Sequence, residues 1–272
     1  MTAKDIPLDF LPTPADAGDT APDRRFTISA PIQLELVRVP AGEFHMGSNP
    51  ALDKKAAQDE QPQHWIDLPE YHIGKTPVTN AQYMAFVQAT KHRAPSHWRR
   101  LLRRATIPPN KETHPVVSVS WHDAVAFCQW LSRETGRRFR LPTEAEWEKA
   151  ARGTDGRLYP WGNVPPTNEL CNFLFSIKDT SPVGRYAIRG DSPYGCADMA
   201  GNVWEWTHSL YREYPYHPSD GRQDSAATGH RVARGGACFV DAEHVRCAFR
   251  GRNHPHKRFN HWGFRVALGP TE

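Results

Sequence analysis

The sequence predicts an α+β fold that is low in regular secondary structure, and three observations predict it. Helix starts cluster in the first 150 residues. Beyond them Pro160, Gly162, Pro165, Pro166, Pro182, Gly184, Gly190, Pro193 and Gly195 punctuate a chain of short apolar runs. No repeat or linker divides the 272 residues, a length that buries a sizeable core. Helices early and irregular β structure later, around one shared core, make an α+β arrangement.

Residues 1–30 are expected to form a flexible N-terminal arm. Pro7, Pro12, Pro14 and Pro22 stand there among Asp, Ala and Thr, a composition that buries little. Residues 31–272 are assigned to the domain. Ile32, Leu34 and Leu36 alternate as in a strand, while Val37 and Val39 break the phase, which predicts a bulge or twist. Residues 49–63 carry Asp53, Lys54, Lys55, Asp59 and Glu60 and read as a surface loop.

Three helices announce themselves by one device. Thr79, Ser120 and Thr143 each precede by three residues a side chain that can reach back: Gln82, Asp123 and Glu146. That is the capping box, in a shorter form at Asp123. Tyr83, Phe86 and Val87 share a face of the first helix. Trp121, Ala124, Val125, Cys128 and Leu131 recur at helical spacing in the second, which Gly136 ends. Trp147, Ala150 and Ala151 face inward in the third, with Gly153 as its stop. Lys149 and Arg152 sit in its last turn, where the helix dipole favours cations. Later, Val245, Cys247 and Phe249 alternate as in a half-buried strand, and Phe264, Val266 and Leu268 repeat the pattern.

The formal net charge of +4 at 24% charged residues makes no global field that calls for nucleic acid. Residues 91–104 hold six fixed positive charges and a Trp; a solvated basic loop or short helix is the expected form, and nucleic acid is not the expected partner. No apolar run reaches the length of a membrane span. The N-terminus lacks a basic stretch followed by an apolar one, so no secretory signal is read. Five cysteines, an odd number without CxxC, argue against a disulfide framework or zinc ribbon. A reducing cytoplasm is the expected compartment.

The stretch Asp198-Met199-Ala200-Gly201-Asn202-Val203-Trp204-Glu205-Trp206 organises the chain. Gly-Asn marks a turn, and the paired indoles anchor a core. It reads poorly as a helix and poorly as a plain strand. Asp198 and Glu205 are hard oxygen ligands on a bent backbone, which suits calcium; a buried turn with a salt-bridged Glu is the plainer alternative.

This nonamer resembles the signature of the formylglycine-generating enzyme (sulfatase-modifying factor) family. Further motifs recur in order: Val39-Pro40-Ala41-Gly42-Glu43-Phe44 with Met46-Gly47, Lys75-Thr76-Pro77-Val78-Thr79-Asn80, His114-Pro115-Val116-Val117 with Val119-Ser120-Trp121, and Arg140-Leu141-Pro142-Thr143-Glu144-Ala145-Glu146-Trp147-Glu148. Tyr159-Pro160-Trp161-Gly162, Arg234-Gly235-Gly236 and Gly263-Phe264-Arg265-Val266 complete the series. The resemblance implies the family's variant of the C-type lectin fold. It also implies a calcium site at the Asp198 and Glu205 side chains with the Gly201 and Val203 carbonyls. A second would use Asn172, the Phe173 carbonyl and Asp179, in a segment shorter than the family's.

The family's oxidases hold Cu(I) on two cysteines shortly after the Gly-Gly matching Gly235-Gly236. Counting from those glycines, the first catalytic position falls at Val240 and the region of the second is shortened. Cys238 falls where an aromatic is usual, and Cys247 resembles a structural cysteine; the two remain the weak catalytic candidates. His254, His256 and His261 offer imidazoles that suit iron, a metal that related ergothioneine-type sulfoxide synthases hold on another domain. Arg250, Arg252, Asn253, His254, His256, Phe259, His261 and Trp262 make a contact-prone loop, and retroelement-diversified binding proteins of this fold vary near the C-terminus. The reading is a non-oxidase member that presents a protein- or peptide-binding surface. The alternative is an oxygen-dependent, metal-assisted oxidoreductase acting on a thiol, peptide or small molecule, with copper or iron.

Overall fold

The computed structural model describes residues 25–101 and 104–269. In chain order the strands begin with β1 (Arg25–Ile28), β2 (Leu34–Val39), β3 (Gly42–Met46), β4 (His64–Leu68) and β5 (Tyr71–Gly74). Helix α1 (Asn80–Thr90), strands β6 (Arg99–Leu101) and β7 (Arg104–Thr106), helix α2 (Trp121–Thr135), strand β8 (Phe139–Arg140) and helix α3 (Glu144–Arg152) follow. The last half contributes β9 (Trp204–Leu210), β10 (Arg231–Arg234), β11 (Gly251–Asn253), β12 (Trp262–Phe264) and β13 (Ala267–Leu268).

These strands make a five-stranded sheet in the order β1-β2-β5-β13-β8 and a four-stranded sheet in the order β11-β10-β9-β12, with two hairpins, β3-β4 and β6-β7. Residues 1–24 of the expected arm lie outside the described residues. Its continuation Arg25–Ile28 is no arm but an edge strand, paired antiparallel to β2.

All three capping boxes form, each with both reciprocal hydrogen bonds. The inward faces expected of the helices are largely buried, and Gly136 and Gly153 end α2 and α3 at positive φ. Two other expectations need correction. β2 pairs with β5 in continuous register and has no bulge. Its phase break arises because Leu36 and Val37 face different cores: Leu36 belongs to the one that holds Tyr83, Phe127 and Phe264, and Val37 to the one that holds Phe44, Ile73 and Trp147. Val245 and Cys247 lie in turns and Phe249 in irregular backbone, and the strand expected there begins only at Gly251.

The basic run also departs from expectation. Part of it is the β6-β7 hairpin, closed by Arg99↔Thr106 and Leu101↔Arg104 pairing; Leu102 and Arg103 lie outside the described residues. Residues 49–63 are not simply a surface loop. Asp53 and Glu60 are buried, and Arg246 donates to both, at 2.6 Å to each. A loop pinned at its base by a buried guanidinium gives the molecule a fixed rim there.

Lys149 and Arg152 do more than complement the α3 dipole. Lys149 donates to the carbonyls of Pro40 and Gly42, and Arg152 to Glu148 and the Gly47 carbonyl. They tie the helix to the β3 hairpin, because a buried cation must find partners for its donors.

Candidate functional site

The organising nonamer is a turn that feeds a central strand. Asp198, Gly201 and Asn202 all adopt positive φ, a backbone that Gly, Asn and Asp tolerate best. A Cβ on Gly201 would stand 2.2 Å from the Asn172 carbonyl oxygen, so no other residue fits. Trp204-Glu205-Trp206 then opens β9, a seven-residue strand despite the poor strand reading. β9 lies between β10 and β12 and is buried on both faces, so its sequence does not alternate.

Glu205 is fully buried inside it. Arg265 donates to Oε2 at 2.6 Å and to Oε1 at 2.7 Å, and Trp147 Nε1 donates to Oε2 at 2.8 Å. That is the bidentate geometry favoured between guanidinium and carboxylate. Asp198 lies differently. Its Oδ2 accepts from the Gly184 amide at 2.6 Å, and burial pushes its carboxyl up to about 6.

The calcium residues implied by the sequence therefore fit a cation unevenly. Asp198 is a buried carboxylate whose charge is poorly compensated. Glu205 has about four acceptor directions, of which three are used. In the second implied site, Asn172 Nδ2 donates to the Asp179 carbonyl, while the Asp179 carboxylate takes Lys111 Nζ at 2.8 Å and the Thr180 amide at 2.6 Å. The Asp179 side chain is thus already neutralised by Lys111. The Phe173 carbonyl accepts from the Ser176 amide at 3.0 Å.

The loop after β10 is laced onto the same turn. Gly201 N donates to the Gly235 carbonyl, Cys238 N to Asn202 O, Leu174 N to Val240 O and Phe175 N to Cys238 O, at 2.7–3.0 Å. Leu174 and Phe175 are held back to back at φ 51° and 55°, strained for bulky residues. Their side chains are 58% and 55% exposed.

From Phe175 an aromatic row runs inward. Phe239 follows at 5.7 Å between ring centres, then His261 at 4.5 Å, Phe259 at 5.7 Å and Trp262 at 5.4 Å. Trp262 is buried against Trp206 in the core. Burial lowers the pKa of His261, so the row is uncharged at neutral pH. Val240 follows Phe239 in the chain, takes the Leu174 amide on its carbonyl and packs against the cluster of Tyr159, Trp161 and Phe173; sequence reasoning missed Leu174, Phe175 and Phe239 as members of the site. The apolar run Phe173-Leu174-Phe175 between polar residues was the available signal.

Both cysteine candidates are buried. Cys247 packs with Trp147, Ala151 and Cys196 in one core, and its thiol is pushed up to about 12 by burial. Burial also raises Cys238. A thiolate, not a thiol, is the metal ligand. The three histidines each have a different ring neighbour. His254 packs on His230, His256 on His122 and His261 in the aromatic row. Among the described residues no group of three or more His, Cys, Asp and Glu is placed to hold a metal.

The contact loop is likewise divided. Arg250 and Trp262 are buried. Arg252 and Asn253 belong to β11, where the Asn253 side chain accepts from the His254 amide, and Phe259, His261 and Trp262 join the row.

The chain matches the sulfatase-modifying factor enzyme 1-like domain over residues 28–269. It belongs to that family. It is 33% identical over 314 residues to the formylglycine-generating enzyme of Streptomyces coelicolor, covering 94% of this chain and 95% of that one. It is 35% identical over 254 residues to the serine/threonine-protein kinase Pkn1 of Chlamydia trachomatis; the match covers 87% of this chain but spans only 38% of the kinase's length. In structure this family member is similar to PvdO from Pseudomonas aeruginosa, with a TM-score of 0.77 at 27% identity, covering 93% of this chain and 100% of that one. The family's C-type-lectin-like, sheet-rich fold with few helices is thus the fold of this chain. No helix among the described residues is long and apolar enough to cross a membrane.

Proposed function

We propose that this family member is a binding protein without formylglycine-generating activity, and that its aromatic row takes an extended peptide or protein segment with large apolar side chains. The observation that carries this reading is the row itself, which ends in the strained, exposed Leu174 and Phe175 beside Val240. A thiol oxidase needs a thiolate at Val240. Here that place holds a branched hydrocarbon among aromatic rings, which suits desolvation of an apolar ligand.

Panning a peptide library on the protein tests the reading. The expected motif carries paired aromatic or branched residues. Phe175→Asp and Phe239→Asp each place a charge in the row, and each is expected to weaken a selected peptide about a hundredfold, consistent with loss of ~1.5–3 kcal/mol of apolar burial per site. Selection of hydrophilic peptides indifferent to both changes would contradict it.

Calcium is the metal that the turn suits best. Asp198, with the carbonyls of Gly201 and Val203 and the remaining acceptor direction of Glu205, would hold it, and a bound divalent cation would compensate the buried Asp198 charge. Its role would be to lock the turn that carries the loop after β10. The surroundings of Cys238, Cys247 and the three histidines give copper and iron no comparable support. A cytoplasmic setting, expected from the scattered cysteines, is part of the same proposal.

A further inference from the structure

Apart from the aromatic row, a cleft of ≈ 1100 Å³ opens beside the pinned loop, with Asn49, Gln58, Gln63 and Glu213 in its walls. Two arginines and two tyrosines line it too. Arg250 lies 4.1 Å from the ring centre of Tyr214 and 4.4 Å from that of Tyr211, and Arg252 lies 4.1 Å from Tyr211. The arginines are two residues apart, which on an extended chain separates them by about 6.8 Å. That spacing admits one ring between them, and like charges are kept apart by it. The result is an alternating stack: Tyr214, Arg250, Tyr211, Arg252.

The two cations differ in what they have left to offer. Arg250 is buried and spends its donors on Glu144, the Asp59 carbonyl and the Arg212 carbonyl. Arg252 is 49% exposed, and its ionic contact with Asp59 is a loose 3.6 Å. Asp59 instead accepts the Tyr211 hydroxyl, which fixes the ring on which Arg252 lies. The stack therefore ends, at solvent, on a guanidinium that its neighbours position but do not saturate.

We propose that this cleft binds a planar aromatic group, stacked on Arg252 as the next layer. Guanidinium planes attract electron-rich rings, indole most. The Asp59 and Glu213 carboxylates in the lining disfavour an anionic ligand, so the ring belongs to a neutral or cationic molecule. The amides of Asn49, Gln58 and Gln63 match polar groups attached to it. Such a ring can come from a free aromatic compound or from a Trp or Tyr side chain of a peptide.

N-acetyl-tryptophanamide titrated into the full chain, followed by NMR, tests this with N-acetyl-leucinamide as control. The tryptophan compound is expected to bind at least fivefold more tightly than the leucine compound. Arg252→Ala is expected to weaken it about tenfold, and Arg252→Lys, which keeps charge but not the plane, is expected to fall between. Tyr211→Leu, which removes the ring that positions Arg252, is expected to match Arg252→Ala, with thermal melts reporting that each variant is folded. A capped Gly-Gly-Trp-Gly-Gly peptide identifies the source: much tighter binding than the single residue marks a peptide ligand, and equal binding a free compound. Equal affinity for the tryptophan and leucine compounds, or an unchanged affinity in Arg252→Ala, would overturn the proposal.

Discussion

Glu205→Ala is expected to destabilise the protein by about 3–5 kcal/mol, the cost of leaving a buried ionic partner alone. Arg265 is the group left behind. It is fully buried, it spends two donors on Glu205, and its others reach the carbonyls of Gly74 and Ala197. Trp147 Nε1 loses its acceptor in the same substitution. For a chain of this size that loss lowers Tm by roughly 10 °C. Denaturant unfolding of wild type and variant measures it directly. Glu205→Gln, which keeps the volume and one acceptor oxygen, is expected to recover part of the loss. A change below about 1 kcal/mol in Glu205→Ala would mean that Arg265 is compensated elsewhere.

Asp198→Asn is expected to change the sign of its effect with calcium. The Asp198 carboxyl is raised from 3.8 to about 6 by burial, so the native state binds this proton more tightly than the unfolded state. The resulting penalty is absent below about pH 4, grows as pH rises, and is fully present above about pH 6. In chelator at pH 8, Asn removes the penalty and is expected to stabilise by on the order of 2–3 kcal/mol, at 1.36 kcal/mol per pKa unit. Asn also tolerates the positive φ at this position, and its side-chain oxygen can still accept from Gly184. In calcium at a thousand times its Kd, wild type gains about 4.1 kcal/mol, the variant loses that gain, and the order of stabilities reverses. Thermal melts of both proteins at pH 8, in chelator and in calcium, give the comparison. The same order in both would remove calcium from the turn.

The parts of this fold that were legible in the sequence are those whose physics is local. A capping box spans three residues, so Thr79, Ser120 and Thr143 revealed three helix starts unaided. The Asp198–Trp206 stretch was legible as the organising feature, yet its strand was not. β9 is buried on both faces, and a doubly buried strand carries no alternation for a reader to find. The partners of buried charges were illegible for another reason. Arg265 lies 60 residues from Glu205, and Arg246 lies 193 from Asp53; no periodicity spans such distances. Asp53 and Glu60 therefore read as surface acids.

The candidate site divides in the same way. The expectation that Val240 stands at the chemical position rests on counting from Gly235-Gly236, which is local. The aromatic row required the fold, because Leu174, Phe175 and Phe239 meet only through hydrogen bonds between two distant loops. The stack on Arg252 likewise joins β11 to the segment after β9.

The most direct test of the central claim is the mass of a sulfatase-type Cys-x-Pro-x-Arg peptide after incubation with the protein, Cu(I) and oxygen. The thiols that flank Val240 in the chain, Cys238 and Cys247, are buried with raised pKa values, and the Val240 side chain cannot bind a metal. The peptide is therefore expected to keep its cysteine, while the Streptomyces coelicolor relative named for this activity serves as the positive control. Conversion of the peptide cysteine to formylglycine, lost in Cys238→Ser or Cys247→Ser variants that remain folded, would contradict the binding reading and make this chain an oxidase.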